Sequence, residues 1–191
     1  MSAPRRSRPI SKPLPIRFAV HLLALLTLLI LALPAFAEEK DEDGLPLPRF
    51  ASTRSAPINV RVGPGFKYDV AWIFNRAKTP VEIIAEFDIW REVRDFDGTE
   101  GWIQQNLLSG ERAGLVEPWK KDVTVPLLSG ASATASVRAY LPSGFRVDIR
   151  RCDGTWCQVE AAGRDTDGHS GTYTGYLEQA SIWGVYQGEK F

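Results

Sequence analysis

Asn59-Val60-Arg61-Val62-Gly63-Pro64-Gly65 is the stretch that decides how this 191-residue chain is read. Val60 and Val62 are spaced to face a core while Asn59 and Arg61 face water, the two-residue period of a half-buried strand. Gly63-Pro64-Gly65 then ends the strand in a turn, because proline fixes φ and the glycines accept positive φ. Working outward, short runs rich in Val, Ile and aromatics alternate with clusters of Gly, Pro, Asp and Asn, and no stretch of the exported part keeps helical periodicity over three turns. Val81, Ile83, Ala85 and Phe87 alternate with Glu82 and Glu86, and Phe145, Val147 and Ile149 alternate with Arg146, Asp148 and Arg150. Both read as strands with one buried face.

These two strands belong to an internal duplication. Val70-Ala71-Trp72, Pro80-Val81-Glu82-Ile83, Trp90-Arg91-Glu92-Val93 and Gly101-Trp102-Ile103 are followed in the same order by Val137-Arg138-Ala139, Gly144-Phe145-Arg146-Val147, Trp156-Cys157-Gln158-Val159 and Gly175-Tyr176-Leu177. The first three landmarks are offset by 64 to 67 residues and the last by 74, so the second copy carries about eight extra residues near 163–175. A unit of about 60 residues buries only roughly 60% of its chain surface and is marginal alone, so the two are expected to pack together. Trp119 and Trp183 are candidates to fill that seam.

The opening stretch resembles the N-V-R-x-G-P-G start of the bacterial SH3 (SH3b) family, and the later strand, Trp90, Val93 and Gly101-Trp102-Ile103 follow in that family's order. Residues 45–187 also resemble tandem-SH3 envelope proteins of unassigned role from alphaproteobacteria, through Leu45-Pro46-Leu47-Pro48-Arg49-Phe50, the stretch 152–157 and Trp183-Gly184-Val185-Tyr186. The resemblance implies an all-β chain of two tandem SH3-like small β-barrels after an N-terminal signal peptide, with peptidoglycan or an envelope protein as partner. The second copy departs from it, with Pro126-Leu127-Leu128-Ser129-Gly130 where N-V-R-x-G-P-G should stand.

The N-terminus reads as an address. Residues 1–17 are basic and Pro-rich, 18–33 are apolar apart from His21, and Pro34-Ala35-Phe36-Ala37 offers the small residues of a cleavage site after Ala37. Sixteen apolar residues are short against the roughly 20 that span a bilayer, which favours a cleaved secretory signal over a kept anchor and argues against stable membrane insertion of the mature chain. The expected organisation is a signal at 1–37, an acidic and Pro-containing leader at 38–50, a first barrel at 51–110, a linker at 111–122 and a second barrel at 123–187. The destination is the periplasm or the exterior. In such an oxidising compartment Cys152 and Cys157, the only cysteines, read as one disulfide. A three-residue hairpin loop pairing Ile149 with Val159 suits the core, and a bulge would then bring the sulfurs together.

Charge excludes some functions. The 23 Lys and Arg balance 23 Asp and Glu, but the signal takes five bases, the segment 38–43 holds five acids and Lys40, and 44–191 is left at a net −1. That is no basis for binding nucleic acid or for long-range steering. Catalysis is not expected either. His169 is the only histidine after the signal, it lies in the Gly- and Thr-rich insertion, and both cysteines are committed, so no nucleophile with a positioned base is readable. No cofactor is expected. Asp165, Asp167 and His169 alternate, but a calcium loop would want a late bidentate Glu where Tyr176 stands, so no metal is expected there. What remains is a binding surface. Tyr68, Trp72 and Trp102, with Arg61 as polar partner, are its candidates, beside the first long loop. The expected function is therefore a non-catalytic exported module contacting peptidoglycan or another envelope component. An adaptor for a peptide or envelope protein is the alternative, and a small envelope hydrolase a more distant one.

Overall fold

Alternating burial on short strands, not helical packing, organises the chain. The computed structural model describes residues 44–164 and 170–191. The cleavage after Ala37, the acidic residues 38–43 and the trio Asp165, Asp167 and His169 lie outside the described residues. Seven strands form the first barrel: β1 Arg49–Thr53, β2 Ile58–Arg61, β3 Val70–Phe74, β4 Pro80–Phe87, β5 Trp90–Arg94, β6 Glu100–Gln104 and β7 Leu108–Ser109. Seven more form the second: β8 Ala113–Val116, β9 Thr124–Leu128, β10 Val137–Pro142, β11 Arg146–Cys152, β12 Trp156–Arg164, β13 Ser170–Glu178 and β14 Ile182–Trp183. A 3-10 turn precedes the last strand of each, at Gln105–Leu107 and Gln179–Ser181. The strand orders are β3-β2-β6-β5-β4-β1-β7 and β10-β9-β13-β12-β11-β8-β14, the same curled sheet built twice. The duplication and the all-β class read from sequence are both present.

The centres of the two cores correspond. Val60, Val81, Val93 and Ile103 are buried in the first barrel where Leu127, Val147, Val159 and Leu177 are buried in the second. Each core closes over a glycine. A Cβ at Gly101 would lie 2.6 Å from Val60 Cγ1, and one at Gly175 would lie 2.6 Å from Leu127 Cγ, so the strands approach only because those positions have no side chain. Segments outside the expected barrel limits take part: β1 begins inside the expected leader 38–50, and β8 lies wholly within the expected linker 111–122. Four residues of Ala-Gly-Leu-Val are too few to show a period, which is why β8 is not readable as a strand.

Four registers carry bulges, and two of them decide what is buried. Between β11 and β12, Ile149 pairs with Val159 as burial leads one to expect, and a shift before Arg151 sets Cys152 directly opposite Cys157, across four intervening residues and not the expected three-residue loop. The disulfide Cys152–Cys157 is formed. Between β4 and β5 a shift after Ile83 reverses the alternation, so Phe87 turns outward and Glu86 turns in. The regular alternation expected through Phe87 therefore ends at Ile83. Glu86, 7% exposed in its side chain, is held by Arg49 at 2.8 Å and Arg91 at 2.7 Å. Pairing of this kind is what makes a buried carboxylate tolerable.

The barrels meet through aromatics and polar bonds. Phe50 stands edge-on to Trp183 at 5.2 Å and against Tyr186 at 4.8 Å, with the Arg112 guanidinium 5.7 Å from its ring centre. Tyr186 Oη donates to Glu82 Oε1 at 2.8 Å, Lys78 Nζ meets Asp148 at 2.8 Å, and Arg146 donates to the Ala77 carbonyl at 2.6 Å. Burial and the neighbouring Glu82 push the Tyr186 hydroxyl well above its ordinary range, so it stays a donor. Trp183 thus fills the seam as expected, whereas Trp119 is exposed. Beside the seam lies a cleft of about 690 Å³ that Leu45 and Pro46 help to line.

Candidate functional site

The loop between β2 and β3 folds back on its own sheet, and Arg61 holds it there. Arg61 Nη1 donates to the Tyr68 carbonyl at 2.7 Å and to the Phe66 carbonyl at 3.4 Å. Within the loop the Val62 amide donates to the Asp69 carbonyl at 3.0 Å and the Tyr68 amide to the Gly65 carbonyl at 3.2 Å. Gly63 is needed for this fold-back, since a Cβ there would sit 2.8 Å from Tyr68 Cδ1. Lys67 Nζ lies 5.2 Å from the centre of the Tyr68 ring. The bonded loop is thereby pre-organised, which lowers the entropy cost of binding anything on it.

Strand pairing sets what lies beside it. Arg61 is opposite Trp102, and Trp102 is opposite Glu92 on the next strand, so the three share the outer face. Burial, with the nearby Glu100, pushes the Glu92 carboxyl up against the opposing pull of Arg94. Phe66 lies on this face. Its ring is edge-on to Trp90 at 5.3 Å and 76°, and the Arg61 guanidinium is 5.6 Å from its centre. Phe66 is nonetheless 69% exposed, and Val62 in the same loop and Val70 and Ile73 on β3 are exposed as well. Val62, spaced to face a core, lies beyond the end of β2 and points to solvent instead.

Three of the four expected residues come together. Arg61, Tyr68 and Trp102 share the outer surface of the first barrel, Tyr68 and Trp102 half-buried. Trp72 does not join them. It pairs with Val60 on the inward-facing row, packs against the core and stands edge-on to Phe74 at 5.9 Å, with its indole N–H buried and unpartnered. Phe66 and Trp90 were missed by sequence reading. The signal for Phe66 was its place just after the Gly-Pro-Gly turn, where a loop residue exposes a ring unless a neighbour supports it.

Among the described residues no group of three His, Cys, Asp or Glu side chains stands ready to hold a metal ion, and the cysteines are bonded to each other. Asp95 and Asp97 serve the turn between β5 and β6: Asp97 accepts the Thr99 amide at 2.9 Å, and burial raises the Asp95 carboxyl while the Phe96 amide opposes the rise. Among the described residues no helix is long and apolar enough to cross a membrane.

Distant likenesses among solved structures include NlpC2 and NlpC1 from Trichomonas vaginalis. They are 14% and 16% identical over 71% and 78% of this chain, with TM-scores of 0.30 and 0.28. The chain spans about half the length of those proteins, 48% of each. No curated protein matches it. The bacterial SH3 domain model matches twice, over residues 54–110 and 121–184, once within each barrel. With most of its length so matched and the same sheet built twice, the chain belongs to the bacterial SH3 domain family.

Proposed function

We propose that the chain is an exported, non-catalytic binding module whose first barrel contacts peptidoglycan or another component of the cell envelope. Bacterial SH3 domains suggest an envelope binding module, and together with a disulfide they are compatible with an extracytoplasmic location. The observation that carries the reading is the loop face itself: Phe66 is held out to solvent, pinned through its carbonyl by Arg61 and backed by Trp90, with Tyr68 and Trp102 alongside. An exposed ring on a bonded loop is suited to stacking on a sugar face or an apolar peptide edge. No cofactor enters this reading. The test is co-sedimentation with purified sacculi. The wild-type chain should pellet, and the double substitution Arg61→Ala with Tyr68→Ala should reduce pelleting severalfold. Absence of pelleting even at low salt would defeat the proposal.

The exposed Val62, Val70 and Ile73 support a second reading, an adaptor for a protein partner, because apolar aliphatic surface fits protein better than glycan. Capture of one partner by crosslinking in cells, without sacculus binding, would select it. Turnover of labelled wall fragments would instead select a hydrolase.

A further inference from the structure

The second barrel has an open groove where the first has its own side chain. This groove, of about 420 Å³, is lined by Trp156, Pro126 and Leu128 together with Glu117, Lys120 and Glu178. Strand register identifies the counterparts. Leu128 pairs with Tyr176 as Arg61 pairs with Trp102, and Trp156 pairs with Glu178 as Trp90 pairs with Gln104. In the first barrel Phe66 lies over Trp90, leaving it 6% exposed, and Lys67 follows in the chain. The corresponding loop of the second barrel is Ser129-Gly130-Ala131-Ser132-Ala133-Thr134-Ala135-Ser136, which has no ring to lay on Trp156. It closes on itself instead, the Ser129 amide donating to the Ser136 carbonyl at 2.8 Å and the Ser132 and Thr134 hydroxyls meeting at 3.0 Å. Trp156 is left half-buried.

Charge selects the occupant. Lys120 is already bound by Glu117 at 2.9 Å. Glu178 is exposed, and among the described residues its carboxylate has no ion pair or hydrogen bond. An aromatic lining beside an unpaired carboxylate is complementary to a ring followed by a cation. We propose that the Trp156 groove docks an extended peptide segment of a protein partner, laying an aromatic side chain against Trp156 and bringing an adjacent lysine or arginine to Glu178. The chain's own Phe66, edge-on to Trp90, shows how a ring fits this position, although Lys67 turns to the Tyr68 ring there. This site is separate from the first-barrel face and does not depend on its ligand.

The test uses a blocked peptide with the sequence of residues 63–68, Gly-Pro-Gly-Phe-Lys-Tyr, titrated into the full chain while the Trp156 indole N–H is followed by NMR. A saturable shift at Trp156 is expected, absent when the peptide phenylalanine is replaced by alanine. Measured by calorimetric titration of the same peptide, Trp156→Ala should weaken binding about 30-fold, the scale of an aromatic anchor. Glu178→Gln, on an exposed side chain that cannot disturb the fold, should weaken it up to about fivefold at low salt and leave sacculus pelleting unchanged. Failure of millimolar peptide to move the Trp156 signal, or equal binding by both variants, would overturn the proposal. Self-association of the chain that Phe66→Ala abolishes would give the groove to a second copy, and loss of pelleting in Glu178→Gln would give it to the wall. Either outcome removes the protein partner.

Discussion

The two barrels share their strand order and the centre of their cores, yet they differ where a ligand would meet them. Leu128 stands where Arg61 stands, and with the arginine goes the clamp that folds the β2–β3 loop over the sheet. The second barrel spends its extra length elsewhere, on a hairpin of two nine-residue strands, β12 and β13, against five and five in β5 and β6. The difference separates two demands on sequence. A core needs volume and polarity at alternate positions and accepts Leu127 for Val60. A recognition face needs particular groups, and one substitution is enough to remove it.

The strongest test of this comparison is whether the barrels are separate at all. Phe50→Ala removes a ring buried between Trp183 and Tyr186, and should cost roughly 3–5 kcal/mol. Denaturant unfolding should show a single transition moved to lower midpoint. Two resolved transitions, only one of them shifted, would mean that the barrels fold independently. The paired glycines sharpen the comparison next. A Cβ at Gly175 meets the Leu128 carbonyl at 2.7 Å, which is backbone, whereas a Cβ at Gly101 meets only the side chains of Val60 and Trp72. Gly175→Ala should therefore cost about 3 kcal/mol and Gly101→Ala about 1 kcal/mol, measured by thermal unfolding. Equal costs would show that the core beside Gly101 yields no more than backbone does.

The disulfide ranks third. It closes so short a loop that Cys152→Ser with Cys157→Ser should lose roughly 2 kcal/mol, with the far-UV circular dichroism of the fold retained. Collapse of the second barrel alone would make the bond its main support. The smallest effect concerns acid. Burial pushes the Glu189 carboxyl up, but two bonds from Arg112 and the Tyr186 amide outweigh it and hold it below the usual range. A carboxyl lowered on folding stabilises above its unfolded pKa, and that contribution is lost as pH falls through the folded value. Stability should thus decline below the ordinary carboxylate range, near pH 4, and Glu189→Gln should flatten that decline. An unchanged acid limb would free the seam from this ion pair.

Much of the fold was legible because the period of a strand is short. Val81 with Ile83 and Val147 with Ile149 could be assigned to cores from alternation, and the repeated landmarks gave the duplication. The bulge in β4 was not legible, because a slipped residue leaves no mark in composition, and so Phe87 was placed inward and Glu86 outward. The candidate site was half legible. Arg61 and Trp102 could be chosen for their strand positions, but Trp72, an aromatic on the same hairpin, differs from them only in which face its strand turns to the core. Phe66 and Trp90 meet across a loop whose course depends on the bond from Arg61 to two carbonyls, and no linear pattern announces it.

The first strand of each barrel, β1 and β8, lies outside the matched stretches 54–110 and 121–184, and so does Tyr186 with its bond to Glu82. What has been copied as a recognisable module is therefore shorter than what closes a barrel. A fragment trimmed to either match would lack a strand from its sheet and its hold on the other half. Here the unit of inheritance and the unit of folding are different lengths of the same chain.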